Sequence, residues 1–172
     1  DDETVMKVLE EILVYMLTEV KDKCPKELEL LEREITAPEL PLRRITYTEA
    51  VEMLQGAGDE MAWGDDFSKP QERKLTELVG DEAFFMKDWP SVQKAFYAMP
   101  HQENPDVVHA FDLLYSGVEI SSGTMRVHIP ELLREQIRKK GLNPDNFTHY
   151  IESFSYGAPP HAGWSIGLER LT

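Results

Sequence analysis

A stretch of acidic, hydroxyl and glycine residues, FDLLYSGVEISSGTMR at residues 111–126, contains the side chains best suited to bind a cation. If two neighbouring strands turn at Gly117, their alternation points Asp112 and Glu119 to one face of the sheet. Carboxylates that lie so close need a cation between them, and a ligand set of oxygens alone suits Mg²⁺. Ser122 follows Glu119 by three residues, so its hydroxyl can bind the same ion or the amine of a ligand.

Two arginines beside glycines extend this candidate site toward an anionic ligand. Arg126 follows Gly123 in the sequence, and its guanidinium suits a bidentate clamp on a carboxylate, while the glycine leaves room against the backbone. Arg170 follows a strand-like segment with Gly163 and Gly167, which add no packing of their own. The set predicts a site for a magnesium nucleotide and an acidic small molecule. Solvated edge-strand charges and surface ion pairs are the alternative interpretation.

The helices that must support these residues are concentrated at the start of the chain. Apolar residues recur at helical spacing over 3–22, and a shorter helical pattern follows at 25–31. Residues 37–44 form an extended connector punctuated by prolines. Capping-box sequences at 46–49 and 68–71 predict the starts of two more helices.

Strand-like patterns begin at residue 83. The segments 83–89 and 94–99 are rich in aromatic residues, and the short link between them is consistent with an antiparallel hairpin. A second antiparallel pair is expected from 107–117 and 118–123. Helices that come before antiparallel strands, rather than alternating with them, predict an α+β fold with an antiparallel β-sheet flanked by helices.

Further helices and one strand complete the predicted fold. The segment IPELLREQIRKKG is expected to be a helix closed by Gly141, and the next helix has Asn143 as its cap and Pro144 in its first position. A glycine-rich closing strand and the start of a final helix follow.

The composition restricts the class of protein. The formal net charge of the 172 residues is −14, which argues against a surface that binds nucleic acid through phosphate neutralisation alone, because such surfaces are basic. Cys24 is the only cysteine, so there is no disulfide framework or thiolate zinc site, and we interpret it as a packing residue. The five histidines have neither H-x-x-x-H nor H-E-x-x-H spacing, which argues against a zinc site. The longest apolar run, at 12–17, is too short for a membrane span, and the acidic start is not a signal peptide. We therefore expect a cytoplasmic protein.

Several segments together resemble a known enzyme family. FDLLYSGVEISSGTMRVH and the segment at 141–171 closely resemble the C-terminal half of the catalytic domain of archaeal-type aspartyl-tRNA synthetases. FFMKDWP and KAFYAMP resemble that family's hairpin, and PLRRITYTEAVEML resembles the insertion before it. PPHAGWSIGLER is similar to motif 3 of class II synthetases. The resemblance covers nearly the whole chain.

The resemblance implies an enzyme that activates aspartate with ATP and Mg²⁺ and then transfers it to tRNA. It implies that Glu119 is a catalytic carboxylate that binds magnesium and ATP, with Ser122 and Asp112 at the same metal. Ser122 would also bind aspartate, and Arg126 would hold the aspartate side chain. In motif 3 the catalytic arginine, here Arg170, covers the adenine and reaches the terminal phosphate. The implied ATP-binding residues are Glu119, Gly167, Leu168, Glu169 and Arg170.

The resemblance also implies which part of the family's catalytic domain is matched. Residues 1–172 are expected to be a single partial domain, from just after motif 2 through motif 3, with a helical and inserted region at 1–80 and a strand-rich active-site region at 83–172. The family's motif 1 helix forms a dimer interface and its motif 2 arginine contacts the α-phosphate. We therefore expect a homodimeric parent enzyme and very little activity from these residues alone, since losing such a donor costs ~10²–10³ in rate. Met125 and Ser165 depart from the family pattern, which commonly has glutamine and glycine there.

Three other functions are compatible with parts of this pattern. The first is an amide-forming, ATP-dependent ligase that has lost tRNA binding, and the second is an asparaginyl-tRNA synthetase. The third is a non-catalytic interaction module, against which the intact set of Glu119, Ser122, Arg126 and Arg170 argues. EISSG and RVH favour the aspartyl branch, so the expected partners are aspartate and the acceptor end of tRNA, with no membrane.

Overall fold

The computed structural model describes residues 1–171, and Thr172 lies outside the described residues. In chain order the elements are α1 Asp2–Lys23, α2 Pro25–Leu30, β1 Arg43–Thr46, α3 Tyr47–Gly56, α4 Lys69–Val79, β2 Ala83–Pro90, β3 Val107–Tyr115, β4 Val118–Arg126, α5 Pro130–Lys139, α6 Thr148–Phe154, β5 His161–Ile166 and α7 Leu168–Leu171. Short 3₁₀ turns precede β3 and α6. Among residues 1–171, no helix has both the length and the apolar character needed to cross a membrane.

The five strands form one sheet in the order β1-β2-β3-β4-β5. The three pairs from β2 to β5 are antiparallel, and β1 joins the edge of β2 in parallel. The predicted α+β fold is confirmed, and its sheet is mixed rather than purely antiparallel. The parallel strand begins at Arg43, at the end of the segment predicted as an extended connector.

The predicted hairpin between 83–89 and 94–99 is wrong. Strand β2 lies between β1 and β3, so both of its edges are already occupied. The 94–99 segment leaves the sheet after a 3₁₀ turn and contributes only an isolated bridge between Ala98 and Arg126. Its aromatic residues, Phe96 and Tyr97, pack against α5 and α6 in a separate cluster. The aromatic pattern therefore marks packing and not strand pairing.

The two faces of the sheet are covered by different helices. On one side, here called the α1 face, apolar residues at helical spacing on α1 pack against Phe85, Phe111 and Leu113. On the other side, here called the α3 face, α3 and α4 cover Phe84 and Leu114. The predicted capping boxes start both of these helices, at Thr46–Glu49 and Ser68–Gln71. These two faces determine which side chains can meet.

Candidate active site

The hairpin of β3 and β4 contains a β-bulge that determines which side chains share the α3 face. Asp112 lies opposite Ser122, whereas Leu114 lies opposite Glu119, so β4 has one extra residue between these two pairs. Without it, residues three apart on a strand would point to opposite faces. The bulge therefore places Glu119 and Ser122 on the α3 face together with Asp112, as is common beside functional sites.

Asp112 is buried and ion-paired with a lysine that the sequence reasoning did not single out. The Lys94 Nζ lies 3.0 Å and 2.7 Å from the two carboxylate oxygens, and the Asp112 side chain is only 2% exposed. The same ammonium lies 3.8 Å from the centre of the Trp89 ring. Lys94 thus neutralises Asp112 and brings a fixed positive charge into the site. Its spacing in the sequence gave no signal for this role, because it depends on the path of the 94–99 segment.

Glu119 is paired with the predicted motif 3 arginine. The Arg170 Nη1 donates a hydrogen bond of 2.8 Å to the Glu119 carbonyl oxygen and lies 3.3 Å from its carboxylate Oε1. Arg170 is on α7, directly after β5, and more than half of its side chain is exposed. The structure therefore joins the two predicted catalytic residues while leaving the guanidinium accessible to a ligand.

A third carboxylate, missed by the sequence reasoning, belongs to this acidic group. Glu72 on α4 accepts a hydrogen bond of 3.4 Å from the Glu119 backbone N–H, and Glu72, Asp112 and Glu119 line one small cavity with Asp66. Burial raises the pKa of Glu119, and the nearby Asp112 raises it further against the opposing charges of Arg170 and Lys94. Burial likewise raises the pKa of Glu72. Within residues 1–171, four carboxylates line this cavity, and the cations ion-paired with them are Lys94 and Arg170.

A second cavity of about 190 Å³ lies beside this acidic group and contains positive and hydroxyl groups. Arg126 lines it with its guanidinium 5.0 Å from the centre of the Tyr97 ring. Within residues 1–171, no carboxylate lies within 4.0 Å of the Arg126 guanidinium. The other polar residues of its lining are Lys94, Ser122, Thr124 and Ser165. An arginine without a carboxylate partner in a cavity is suited to bind an anion from solution.

The glycines near the site have different physical roles. Gly123 does not have the role that the sequence suggested, which was to leave room for a ligand against the backbone. A Cβ on Gly123 would lie 2.3 Å from the Phe111 ring and 2.8 Å from the Trp164 Cβ, both protein contacts. Gly123 is therefore required by packing within the protein and not by the approach of a ligand. Gly163 faces the cavity, where a Cβ would contact only the Arg126 guanidinium, at 3.6 Å. Gly167 packs against the side chain of Arg170 and begins the turn into α7.

The remaining predicted residues lie on α7 or on the strands beside the cavity. Leu168 and Glu169 are exposed at the start of α7, next to Arg170. Ser165 is directly opposite Ser122 in the β4–β5 pair and lines the cavity. Met125 lines a different cavity, with His109. The departure from the family pattern at Met125 therefore leaves the Arg126 cavity unchanged, whereas that at Ser165 alters its wall.

Comparison with known proteins places this arrangement in a family. A family model described as tRNA synthetases class II (D, K and N) matches residues 1–172. An aspartate–tRNA(Asp/Asn) ligase of Methanothermobacter thermautotrophicus is 46% identical over 171 residues, which are 99% of this chain and 39% of that protein. An aspartate–tRNA(Asp) ligase of Pyrococcus abyssi is 45% identical over 174 residues, 99% of this chain and 40% of that protein. The chain thus spans well under half the length of the curated relatives it matches.

Solved structures show the same fold. An aspartyl-tRNA synthetase from Entamoeba histolytica has a TM-score of 0.92 and 35% identity, and the match covers 99% of this chain and 37% of that one. An asparaginyl-tRNA synthetase from Pyrococcus horikoshii, complexed with asparaginyl-adenylate, has a TM-score of 0.93 and 36% identity over 99% of this chain and 40% of that one. Because the family model spans residues 1–172 and these relatives align along nearly all of it, the chain belongs to the class II tRNA synthetases (D, K and N).

Proposed function

We propose that this chain forms the part of an aspartate–tRNA ligase that binds aspartate and ATP. The observation that carries the proposal is the Arg126 guanidinium, which has no carboxylate partner among residues 1–171 and lines a cavity beside the acidic group of Glu119, Asp112 and Glu72. A ligand with a carboxylate side chain and an amine fits such a pair of opposite charges. Relatives named aspartate–tRNA ligases, at 46% and 45% identity, support this choice of substrate.

The cavity chemistry assigns a role to each residue around aspartate. The planar fork of Arg126 donates hydrogen bonds to the two oxygens of the side-chain carboxylate, a geometry that one ammonium cannot match. The Ser122 hydroxyl, on the same face, is placed to accept a hydrogen bond from the substrate amine. Lys94 adds a second positive charge to the wall, although Asp112 already neutralises part of it. Arg126 is therefore the residue on which selectivity for aspartate depends.

The acidic residues fit the divalent cation that the family resemblance implies. Four carboxylates line one small cavity, and burial and then the charge of Asp112 raise the pKa of Glu119, so added positive charge is favourable there. Glu119 would hold Mg²⁺, with Ser122 and Asp112 as the further oxygen donors, although Asp112 must share its oxygens with Lys94. When bound, such an ion neutralises the charge of the nucleotide phosphates.

Arg170 and its neighbours are the proposed ATP-binding segment. Arg170 is held at Glu119 by the 2.8 Å hydrogen bond to the carbonyl oxygen, and its exposed guanidinium can cover a bound base. Gly167, Leu168 and Glu169 form the turn and first residues of α7 that place it. Attack of a carboxylate on the α-phosphate requires positioning and charge neutralisation rather than a protein nucleophile. Arg126 and Arg170 would contribute to both, whereas the resemblance assigns the α-phosphate contact to the arginine of motif 2.

The rest of the parent enzyme's activity belongs to the same proposal. We assign transfer of aspartate to the acceptor end of tRNA, a homodimeric assembly and a cytoplasmic location on the strength of the family resemblance. The resemblance matches these residues to the segment from just after motif 2 through motif 3, so we expect them alone to give almost no aspartate-dependent ATP–pyrophosphate exchange. Binding of aspartate is therefore the sharper test of this chain.

The test measures binding of aspartate, asparagine and glutamate to the 172-residue chain by calorimetry, with ATP and Mg²⁺ present. We expect aspartate to bind best and Arg126→Lys to weaken it by at least about tenfold, because the ammonium loses the bidentate geometry. Arg138→Lys, on the exposed side of α5, is the matched control and should leave binding unchanged. Preference for asparagine would instead assign the chain to the asparaginyl branch. Equal binding by the parent and Arg126→Lys would refute the assignment of Arg126.

A further inference from the structure

On the α1 face the fold assembles a second polar cluster that the proposed reaction does not use. Asp88 in β2, His101 after β2 and His109 in β3 place one potential ligand atom each within 4.8 Å of one another. The His101 Nε2 lies 3.0 Å from Asp88 Oδ1, and the His101 and His109 rings stack with centres 3.6 Å apart. From this arrangement we propose that Asp88, His101 and His109 form a binding site for a first-row transition metal ion such as Zn²⁺.

The donor set suits such an ion. Two imidazole nitrogens and one carboxylate match the preferences of divalent zinc and its neighbours, whereas the oxygen-only group of Glu119 on the other face suits Mg²⁺. His101 and His109 are eight residues apart in the sequence, so no short sequence motif indicates the site. They meet because the backbone amide of His101 bonds to the Val107 carbonyl, which aligns the loop with β3.

A buried carboxylate behind His109 supports metal binding independently of the cluster. The Nδ1 of His109 lies 3.4 Å from the Asp2 Oδ2, and the Asp2 side chain on α1 is 7% exposed. When His109 donates the Nδ1 proton to Asp2, its Nε2 carries the lone pair needed for a metal. Metal-binding histidines are commonly held in this way by a carboxylate. Asp2 is thus a positioning residue for the proposed site.

The backbone at Asp88 is held in a conformation that needs a reason. Asp88 has φ of 58°, in the left-handed region, and the register of β2 against β3 shifts at this point. Lys87 consequently lies on the α1 face and Trp89 on the α3 face, with Asp88 between them. Lys87 is 3.9 Å from the second Asp88 oxygen, but its shorter ion pair, of 2.6 Å, is with Glu3. One Asp88 oxygen therefore remains directed at His101.

The site opens into a cavity that can supply the remaining coordination position. His101 and His109 line a space of about 560 Å³ together with His128 and Gln136. Among the described residues, the His128 Nδ1 and the Gln136 Nε2 are buried without a hydrogen-bond partner, and Gln136 is 6% exposed. These two atoms make the surroundings of the cavity polar, although each is itself covered from solvent. Once the three ligand atoms converge on an ion, the cavity leaves space for a fourth coordination position.

Metal binding requires a small local change. Ligand atoms around a tetrahedral zinc ion lie about 3.4 Å apart, so the separations of up to 4.8 Å must shorten. Two imidazoles on one ion must also direct their lone pairs to a common point, which stacked rings at 17° do not. His101 is 30% exposed and follows the end of the sheet pairing, so it can turn without disturbing the core.

The test is titration of the 172-residue chain with Zn²⁺ in competition with a chromophoric chelator, followed by Co²⁺ as a spectroscopic probe. We expect one saturable equivalent and tetrahedral Co²⁺ absorption bands. Asp88→Asn, which suits the left-handed backbone, and His101→Ala should each weaken binding at least about tenfold. Asp2→Asn should cost ~10–100-fold, as expected for a carboxylate behind a ligand. His149→Ala, at a fully exposed histidine, is the control and should change nothing.

Thermal unfolding followed by circular dichroism separates metal binding from misfolding. Zn²⁺ should raise the midpoint of the parent and of His149→Ala, and should raise it less for Asp88→Asn and His101→Ala. The metal-free midpoints of all four proteins should be similar, because both substituted groups are partly exposed. No saturable binding by the parent, or equal affinity in the parent, Asp88→Asn and His101→Ala, would overturn the proposal.

Discussion

The two faces of the sheet each carry a polar cluster, and each cluster depends on an interruption of regular strand pairing. On the α3 face the extra residue in β4 brings Glu119 and Ser122 to the same side. At Asp88 the register of β2 against β3 shifts, so Lys87 lies on the α1 face and Trp89, two residues later, lies on the α3 face. Polar groups thus occur on both faces where alternation fails, while the regular stretches between them are filled with apolar core.

The clusters differ in how their buried charges are balanced. On the α3 face, Asp112 is paired with the ammonium of Lys94, which has hydrogen-bond donors but no acceptor. On the α1 face, Asp2 is paired with His109, an imidazole that can be neutral. A buried carboxylate with a permanent cation becomes costly to neutralise, because the cation is left unpaired. The comparison predicts different penalties for the same substitution on the two faces.

The largest expected effect on stability is that of Asp112→Asn. It keeps the side-chain shape but leaves the Lys94 ammonium without its counter-charge beside Trp89. Loss of one partner of a buried pair costs about 3–5 kcal/mol, and partial exposure of Lys94 reduces this to about 2–4 kcal/mol. Urea unfolding of both proteins at pH 7 measures the difference.

The matched substitution on the other face is Asp2→Asn, which should cost about 1 kcal/mol because a neutral histidine can still bond to an amide. Asp22→Asn, on the exposed end of α1, serves as a surface control with no expected change. Equal losses of stability for Asp112→Asn and Asp2→Asn would show that removing the carboxylate charge costs the same beside Lys94 as beside His109, contrary to the comparison.

A second, smaller contrast concerns two glycines in neighbouring strands. Gly123→Ala should destabilise the fold by about 1–3 kcal/mol, because its Cβ would overlap the Phe111 ring on the α1 face. Gly163→Ala should change stability little, since its Cβ meets only the flexible Arg126 guanidinium on the cavity side. The same substitution should nevertheless weaken aspartate binding by narrowing the Arg126 cavity. Urea unfolding and calorimetry of both variants measure the two effects, and a reversed order of stability would contradict the assignment of faces.

Local sequence signals correctly predicted several of the helices and strands that position the site. The capping boxes, the helix at 3–22 and the β3–β4 pair around Gly117 all depend on residues close in sequence, and all are present in the structure. The alternation of that pair also predicted that Asp112 and Glu119 share a face. The roles of these residues in binding remain predictions.

The failures of sequence reasoning are all non-local. The 94–99 segment has the residues of a strand, but β2 already has two neighbours, and no local pattern reports that. Lys94 reaches Asp112 across 18 residues, and Glu72 reaches Glu119 across 47. A loop likewise brings His101 close to His109 and Asp88, a grouping that the spacing of the histidines in the sequence does not report. Such groups are assembled by the tertiary path of the chain.

The smallest predicted effect is a change of folding stability with pH, which differs between Glu72 on the α3 face and Asp2 on the α1 face. Burial raises the pKa of Glu72 above its ordinary value of 4.5, so the folded state holds its proton more tightly than the unfolded state. As the pH rises from about 4.5 through the raised folded pKa, the folded state therefore loses stability relative to the unfolded chain. Urea unfolding of the parent and of Glu72→Gln across this range should show a loss with rising pH that the variant reduces.

For Asp2, on the α1 face, the predicted change of folding stability with pH has the opposite sign. Burial acts to raise the pKa of Asp2, but the hydrogen bond and charge of His109 outweigh it, and the pKa lies below 3.8. The stability due to this pair is therefore present above pH 3.8 and is lost as the pH falls through the folded pKa.

Glu52→Gln, on the exposed side of α3, is the control for Glu72→Gln and should follow the parent. If Glu72→Gln also followed the parent, burial would not raise the pKa of Glu72 in the folded protein, and this prediction would be wrong.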